Sequence, residues 1–468
     1  MNEQNAIRDA RVLGIPKMLL LGLQHMFAMF GATILVPILV NQYFGQEVLS
    51  IQVTLVCAGV GTLLFHFISK GKVPAFLGSS FAFLGGFETI ANLNTGIYKD
   101  MPASEKLSYA CGGIVVAGLL YLVLALVIKL VGVKRVMRFL PPVVTGPIII
   151  CIGLSLASSA VTNASSNWLI AIVAFAIIVI FNIWGKGMFK IIPILLSVVI
   201  SYLLALVLHE CGITNPGGSE ILNFSSIEAA KWFSLQPFEL CKFDITAILV
   251  MAPIAIATMM EHIGDMSAIS ATVGEKYIED PGLHRTLIGD GLATSLSGLV
   301  GGPANTTYGE NTGVLELSRV HDPRVIRIAA IYAIVLSFFP KISGVIGTIP
   351  SSIIGGISFI LYGMIAANGV RNVVENQVDF TKSRNLIIAA TILVSGLGFG
   401  SGITINIGST SITLTALAIA AILGILLNAI LPGRDYDFDT DTKKEKSVKA
   451  NDLEAEAVKA EVDEKESK

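Results

Sequence analysis

The sequence predicts an all-α polytopic membrane protein with fourteen spans in a seven-plus-seven inverted repeat. Three observations carry that expectation: the composition, a series of apolar stretches of membrane-crossing length, and two interrupted stretches in matching places. Hydrophobic residues make up 53% of the chain and charged residues only 14%, against roughly 25% charged in an average soluble protein. A soluble fold of 468 residues needs more charge than that to cover its surface. A bilayer-embedded fold does not, because lipid is the solvent for most of its perimeter. The net charge of -2 gives no hint of nucleic-acid binding.

A span needs about 20 mostly apolar residues. Twelve stretches qualify, near residues 18-40, 50-69, 107-131, 139-160, 167-185, 188-208, 243-262, 284-300, 324-345, 350-370, 384-402 and 411-431. Two shorter, interrupted stretches near 74-93 and 303-320 bring the total to fourteen. The first stretch follows Arg8, Arg11 and Lys17; it is too long for a signal-peptide core and lacks a small-residue cleavage site. Basic residues then test the count. Lys70 and Lys72, the group from Lys129 to Arg138, Lys186 and Lys190, Lys276 and Arg285, Arg319 to Arg327, and Arg371 to Arg384 fall in alternate loops. The loops 41-49, 161-166, 301-308 and 403-410 between them contain no Lys or Arg. Lys99, Lys106, Lys231, Lys242 and Lys341 are mild exceptions. The positive-inside rule therefore places both termini in the cytoplasm and the chain in the cytoplasmic membrane.

The five cysteines, Cys57, Cys111, Cys151, Cys211 and Cys241, have no metal-like spacing, and four of them lie in or beside apolar segments. They read as small hydrophobes rather than disulfide partners. No metal or other cofactor is expected. From Arg434 the chain turns charged and polar, which reads as a solvated cytoplasmic tail with at most a fragile helix near 453-462.

The two interrupted stretches are the third and the tenth, seven apart. One begins Gly71-Lys-Val-Pro-Ala-Phe-Leu-Gly-Ser-Ser-Phe-Ala-Phe83 and the other Gly301-Gly-Pro-Ala-Asn-Thr-Thr-Tyr-Gly-Glu-Asn-Thr-Gly313. Each opens with Gly and Pro, passes through an extended-looking stretch with small hydroxyl residues, and ends in a helix-like run. Because seven is odd, the second set of seven spans starts from the opposite side of the membrane. Non-helical backbone survives in hydrocarbon only where protein or a wet cavity satisfies it. Paired broken segments in two halves therefore point to a transporter's binding site; a pair of re-entrant channel loops is the competing reading.

Ionisable residues inside spans are costly and functional by default. Glu261 and Asp265 lie four residues apart in Met259-Met-Glu-His-Ile-Gly-Asp265, on one face of a helix. Asp265, nearest the loop, also fits a plain helix-boundary role. Glu310 stands where the tenth segment turns from extended to helical, beside free backbone N–H groups. Such groups suit a flat, neutral ligand with donor and acceptor edges. A carboxyl that changes protonation between two waters can also couple its movement to protons. Gln24 and His25 read as a hydrogen-bonding staple or a site element, Glu88 and His66 as interfacial, and Glu316 as a partner of Arg319.

At these residues the chain resembles a known family. Gln24-His-Met-Phe-Ala-Met-Phe-Gly-Ala-Thr33, Lys72-Val-Pro-Ala-Phe-Leu-Gly-Ser-Ser-Phe-Ala-Phe83, Glu261-His-Ile-Gly264, Asp280-Pro-Gly-Leu-His-Arg285 and Asn305-Thr-Thr-Tyr-Gly-Glu-Asn-Thr-Gly313 resemble the uracil permeases of the nucleobase–ascorbate transporter family, also called nucleobase–cation symporter-2. The resemblance covers residues 15-432 and implies proton-coupled uptake of uracil by a homodimer. It also implies short antiparallel strands in broken spans 3 and 10, and two domains. Parts 1-138 (spans 1-4) and 243-345 (spans 8-11) would form a core; parts 139-208 (spans 5-7) and 346-432 (spans 12-14) would form a gate. An outside loop at 209-242 and a tail at 433-468 complete the chain.

Carried over by position, Glu261 would bind the pyrimidine edge and Glu310 the other polar edge, with backbone help at Gly309 and Tyr308. Phe81 would pack on the ring, Tyr362 would lie on the gate side, and His25 matches the family's first-span histidine. Glu261, Asp265 and His25 are the expected proton-coupling residues. Uracil permeases commonly carry His where this chain has Asp265, an acid more like purine-type members, so xanthine or another purine is the alternative substrate. Ser318 and Arg319 stand where the family's signature ends in Thr and a basic residue. An enzyme is not expected, because no nucleophile elbow, phosphate loop or soluble catalytic domain is present.

Overall fold

A computed structural model describes residues 6–94, 96–400, 402–407 and 410–433. The chain is predominantly helical. The first half contains α1 (Ile15–Phe44), α2 (Ile51–Ile68), the strand β1 (Leu77–Ser79), α3 (Leu84–Asn92), α4 (Ala103–Val131), the short α5 (Val133–Met137), α6 (Pro142–Ser155), α7 (Ala157–Ser165), α8 (Trp168–Trp184), α9 (Met188–Ile191) and α10 (Pro193–Glu210). The second half contains α11 (Ser225–Ala229), α12 (Ile245–Met251), α13 (Ile254–Val273), α14 (Leu283–Leu299), β2 (Asn305–Thr307), α15 (Gly309–Ser318), α16 (Pro323–Leu336), α17 (Pro340–Gly347), α18 (Ser351–Glu375), α19 (Ser383–Gly398), β3 (Ile403–Ile407), β4 (Thr410–Leu414) and α20 (Ala416–Ile430). Among the described residues seven helices are long and apolar enough to cross a membrane, counting α6–α7 and α12–α13 as one each. An eighth joins them if α16 and α17, bent by 85°, form one span. α8, α19 and α20 are shorter apolar helices.

Local chemistry sets the helix ends. Ser50 accepts from the Val53 N–H at the start of α2, Asn167 from Ile170 at α8, and Thr415 from Ala418 at α20. Asp322 caps α16, with Pro323 in the first turn, where its missing N–H costs nothing. One apolar core runs from α1–α4 through α13 and α14 to α19 and α20, and a smaller cluster joins α8, α10 and α18. α4 and α14 approach most closely at Gly118 and Gly291, where a Cβ on either would lie 2.5–2.6 Å from the other's carbonyl oxygen. Small residues let helices without a hydrophobic drive between them pack backbone to backbone. The opposite faces of α8, α10 and α19 turn Ile183, Val207 and Val394 outward, as lipid-facing helices do.

The expected strands form. β1 and β2 pair antiparallel, with Leu77 opposite Thr307, Gly78 opposite Thr306 and Ser79 opposite Asn305. Each strand's free edge is satisfied by a threonine of the preceding helix. Thr62 of α2 accepts from the Leu77 N–H at 2.9 Å and donates to its carbonyl at 3.2 Å. Thr294 of α14 does the same for Asn305, at 3.3 Å and 3.0 Å. Every strand residue is buried, so an unpaired backbone group there would cost about 1–3 kcal/mol.

Several expectations need correction. The stretch expected to end near residue 262 continues in α13 to Val273, so Asp265 lies inside the helix rather than at its boundary. The β-branched run over 403-414, expected as loop and span start, folds as the hairpin β3–β4, with Ile403 opposite Leu414. His66 is buried, not interfacial: its Nε2 lies 2.9 Å from the Ala75 carbonyl beside β1. Glu316 and Arg319 make no ion pair among the described residues; Arg319 ends α15 in a left-handed conformation. The tail helix expected near 453-462 lies outside the described residues.

Candidate functional site

The two broken segments meet head to head. After β1 the chain passes through a single 3₁₀ turn, Phe81–Phe83, into α3; after β2 it enters α15 directly at Gly309. Both half-helices thus begin beside the strand pair, where their first N–H groups have no partner within the helix. Tyr308 fixes the crossing. Its N–H donates to the Phe76 carbonyl at 3.0 Å and its hydroxyl to the Ser79 carbonyl at 2.9 Å. Thr33 of α1 donates to the Tyr308 hydroxyl at 3.3 Å, and Ser79 Oγ donates to the Thr33 carbonyl at 2.8 Å. Gly78 is required here, because a Cβ would lie 2.4 Å from the Tyr308 ring. The Tyr308 side chain is therefore a buried strut between strands.

Glu310 occupies the first turn of α15, and neighbouring Gly309 is exposed with open space where a Cβ would stand. Glu261 and Asp265, on successive turns of α13, lie within electrostatic reach of Glu310. All three carboxylates are half-buried, and among the described residues none has a lysine or arginine partner. Asp265 accepts from the Thr307 hydroxyl at 2.6 Å, which ties α13 to β2. Phe81 meets Tyr362 of α18 edge to face, with ring centroids 6.1 Å apart. The acids on α13 and at the start of α15, and the rings of Phe81 and Tyr362, are thus gathered around the strand pair by α13, which packs against both α15 and the Phe81–Phe83 turn.

His25 is fully buried. Asn311 of α15 donates to the His25 carbonyl at 3.1 Å and lies 3.2 Å from its Nδ1. That is the staple geometry, joining α1 to the second half-helix. One feature escaped the sequence reading. His262 Nδ1 lies 2.8 Å from Asp290 Oδ2, and both side chains are fully buried. The Phe65 ring packs edge-on against His262 at 6.3 Å. Asp290, in the apolar run Ile288-Gly-Asp-Gly-Leu292, was visible as an intramembrane acid, and the general cost of burying one would have flagged it. Outside the spans, Lys72 before β1 bonds Asp280 before α14 and holds that carboxyl below the usual aspartate range.

Two half-helices that start at one strand pair inside a helical membrane fold are the arrangement expected of a transporter. The chain belongs to the Permease family, whose model matches residues 16–405, as the five motifs led one to expect. It is 42% identical to a uracil permease of Bacillus caldolyticus over 92% of this chain and 94% of that one. It is 41% identical to the uracil permease of Bacillus subtilis over 88% and 91%, and 36% identical to that of Escherichia coli over 88% and 90%. Among solved structures the fold resembles the transmembrane domain of a cyanobacterial bicarbonate transporter, BicA, with TM-score 0.59 at 14% identity, covering 91% of this chain and 99% of that one. SLC26A9 is similar at TM-score 0.58 and 11% identity, over 87% and 64%. Membership makes the chain an integral membrane permease, not an enzyme.

Proposed function

We propose that this permease imports uracil together with protons across the cytoplasmic membrane. The observation that carries the reading is the packing of α13, which bears Glu261, against α15, which bears Glu310 in its first turn beside the open backbone at Gly309, together with the edge-to-face pair of Phe81 and Tyr362. A pyrimidine ring is flat and neutral, with an imide edge of alternating donors and acceptors. Carboxylates accept from its N–H groups, the α15 N-terminus donates to a carbonyl, and Phe81 covers a face. The relatives named above as uracil permeases support that substrate over a purine. Asp265, the residue that resembles purine-type members, is tied to β2 by Thr307.

Proton coupling rests on three carboxyl groups, two on α13 and one at the start of the α15 packed against it, that among the described residues have no lysine or arginine partner. Carboxyl groups that interact strongly exchange protons as a unit. Glu261 takes up and releases the coupled proton, Asp265 tunes it, and His25 holds α15 in register. The matching Thr62–β1 and Thr294–β2 arrangements support an inverted repeat of two seven-span halves with both termini cytoplasmic. Parts 1-138 and 243-345 act as a core that moves against a gate of 139-208 and 346-432, the gate carrying homodimer contacts.

The test is uptake of labelled uracil into vesicles with an imposed proton gradient. Glu261→Gln and Glu310→Ala are expected to abolish uptake while membrane insertion persists, and a protonophore is expected to collapse wild-type accumulation. Wild-type uptake by either variant would remove the site; accumulation indifferent to the protonophore would remove the coupling.

A further inference from the structure

A cleft of about 1000 Å³ lies far along the chain from the carboxylates, where the end of α4, the 132–141 linker and the ends of α18, α19 and α20 converge. Arg135, Arg138, Lys382 and Arg384 line it, against a single acid, Asp379, whose carboxylate already accepts from Thr381 N–H and hydroxyl. Among the described residues neither Arg135 nor Arg138 has an ion-pair partner. Beside these cations, Val131 and Phe139 add an exposed apolar wall.

The chain itself leads into this cleft. Arg384 donates to the Asn428 carbonyl and side chain, each at 2.8 Å, and so holds the end of α20. Gly433, the last described residue, lines the cleft against Arg384. The sequence that follows is Arg434-Asp-Tyr-Asp-Phe-Asp-Thr-Asp441, with aspartate at every second position and two aromatic residues between. In an extended backbone such alternation sends carboxylates to one side and rings to the other. Residues 435–441 fall within about 28 Å of chain from Gly433, so their concentration at the cleft is set by the tether rather than by the cell.

We propose that the basic cleft is the docking site of the chain's own segment Asp435–Asp441, aspartates on the cations and rings on the Val131–Phe139 wall. Charge complementarity and continuity of the chain favour this occupant over an anionic lipid headgroup, which the same cations could hold. The inference stands on the cleft and the segment and does not depend on uracil being the substrate.

The test uses the full chain in phosphatidylcholine vesicles, with Cys211→Ser and Cys241→Ser removing the two cysteines that are not buried. Phe139→Cys and Tyr436→Cys are introduced together, oxidised with copper phenanthroline, and the 139–436 disulfide is quantified by peptide mass spectrometry. The link is expected to form and to fall about tenfold when Asp435, Asp437, Asp439 and Asp441 are all changed to Asn, or when Arg135→Gln and Arg138→Gln are combined. Absence of the link, or a link indifferent to both sets of changes, overturns the proposal. So does loss of the link when phosphatidylglycerol is added to the vesicles, which would assign the cleft to a lipid headgroup. None of these readouts requires transport, so they are independent of the uracil reading.

Discussion

The two broken segments have the same backbone and different chemistry. β1 and β2 pair with each other, each is closed on its free edge by a threonine, and each leads into a half-helix of nine or ten residues. Yet the first segment enters its helix through Phe81-Ala-Phe-Leu84, while the second enters through Gly309-Glu-Asn311. The supporting helices differ in the same way. Four residues before Thr62 stands Ala58; four before Thr294 stands Asp290, paired with His262. Backbone demands are equal in the two halves because hydrocarbon penalises any unpaired group. Ligand chemistry is not bound by that symmetry, and in the proposed site one half supplies a wall and the other supplies the polar contacts.

Glu310→Ala is expected to lower uracil uptake at least about 100-fold, because a site built to hydrogen-bond its ligand loses most when a polar partner goes. Phe81→Ala on the other segment is expected to raise the KM only about 3- to 10-fold, the scale of one aromatic contact. Equal losses from the two changes in a transport assay would mean that the segments share the chemistry. Next in size is the buried pair. His262→Phe leaves the buried Asp290 without its neighbouring imidazole and is expected to destabilise the protein by about 1–3 kcal/mol, read from thermal unfolding in detergent. Ala58→Ser, at the matching position of α2, is expected to cost far less.

The smallest effects test the symmetry itself. Thr62→Val and Thr294→Val each strand one strand N–H and are expected to cost about 1–3 kcal/mol, by similar amounts. A loss confined to one of them would show that the two strand edges are not equivalent. Asp322→Ala lies outside the comparison. Asp322 caps α16 and accepts from the Ala10 N–H at 2.7 Å, so its loss is expected to cost about 1–2 kcal/mol and to free the N-terminal segment for proteolysis.

Much of this was legible because bilayer physics leaves few options. Gly71, Pro74, Gly301 and Pro303 marked breaks that lipid would not tolerate without a partner, and pairing the breaks gave the strands. Glu261 and Glu310 stood out as acids in apolar surroundings. Thr62 and Thr294 did not, since a threonine in a span is ordinary until the strand it serves is seen. Tyr308 was expected near the ligand through its backbone, but only the packing at Gly78 reveals its ring as a strut. The β3–β4 hairpin was missed because a short β-branched run between apolar stretches reads equally well as loop or span.

The most direct single measurement is calorimetric titration of uracil into the purified wild-type protein and into Glu310→Ala, with xanthine as comparator. Uracil should bind the wild type with a saturable signal, the folded variant should show none, and xanthine should not compete. Undiminished uracil binding by Glu310→Ala, or xanthine binding in place of uracil, would contradict the assignment of the cleft beside Gly309 as a uracil site.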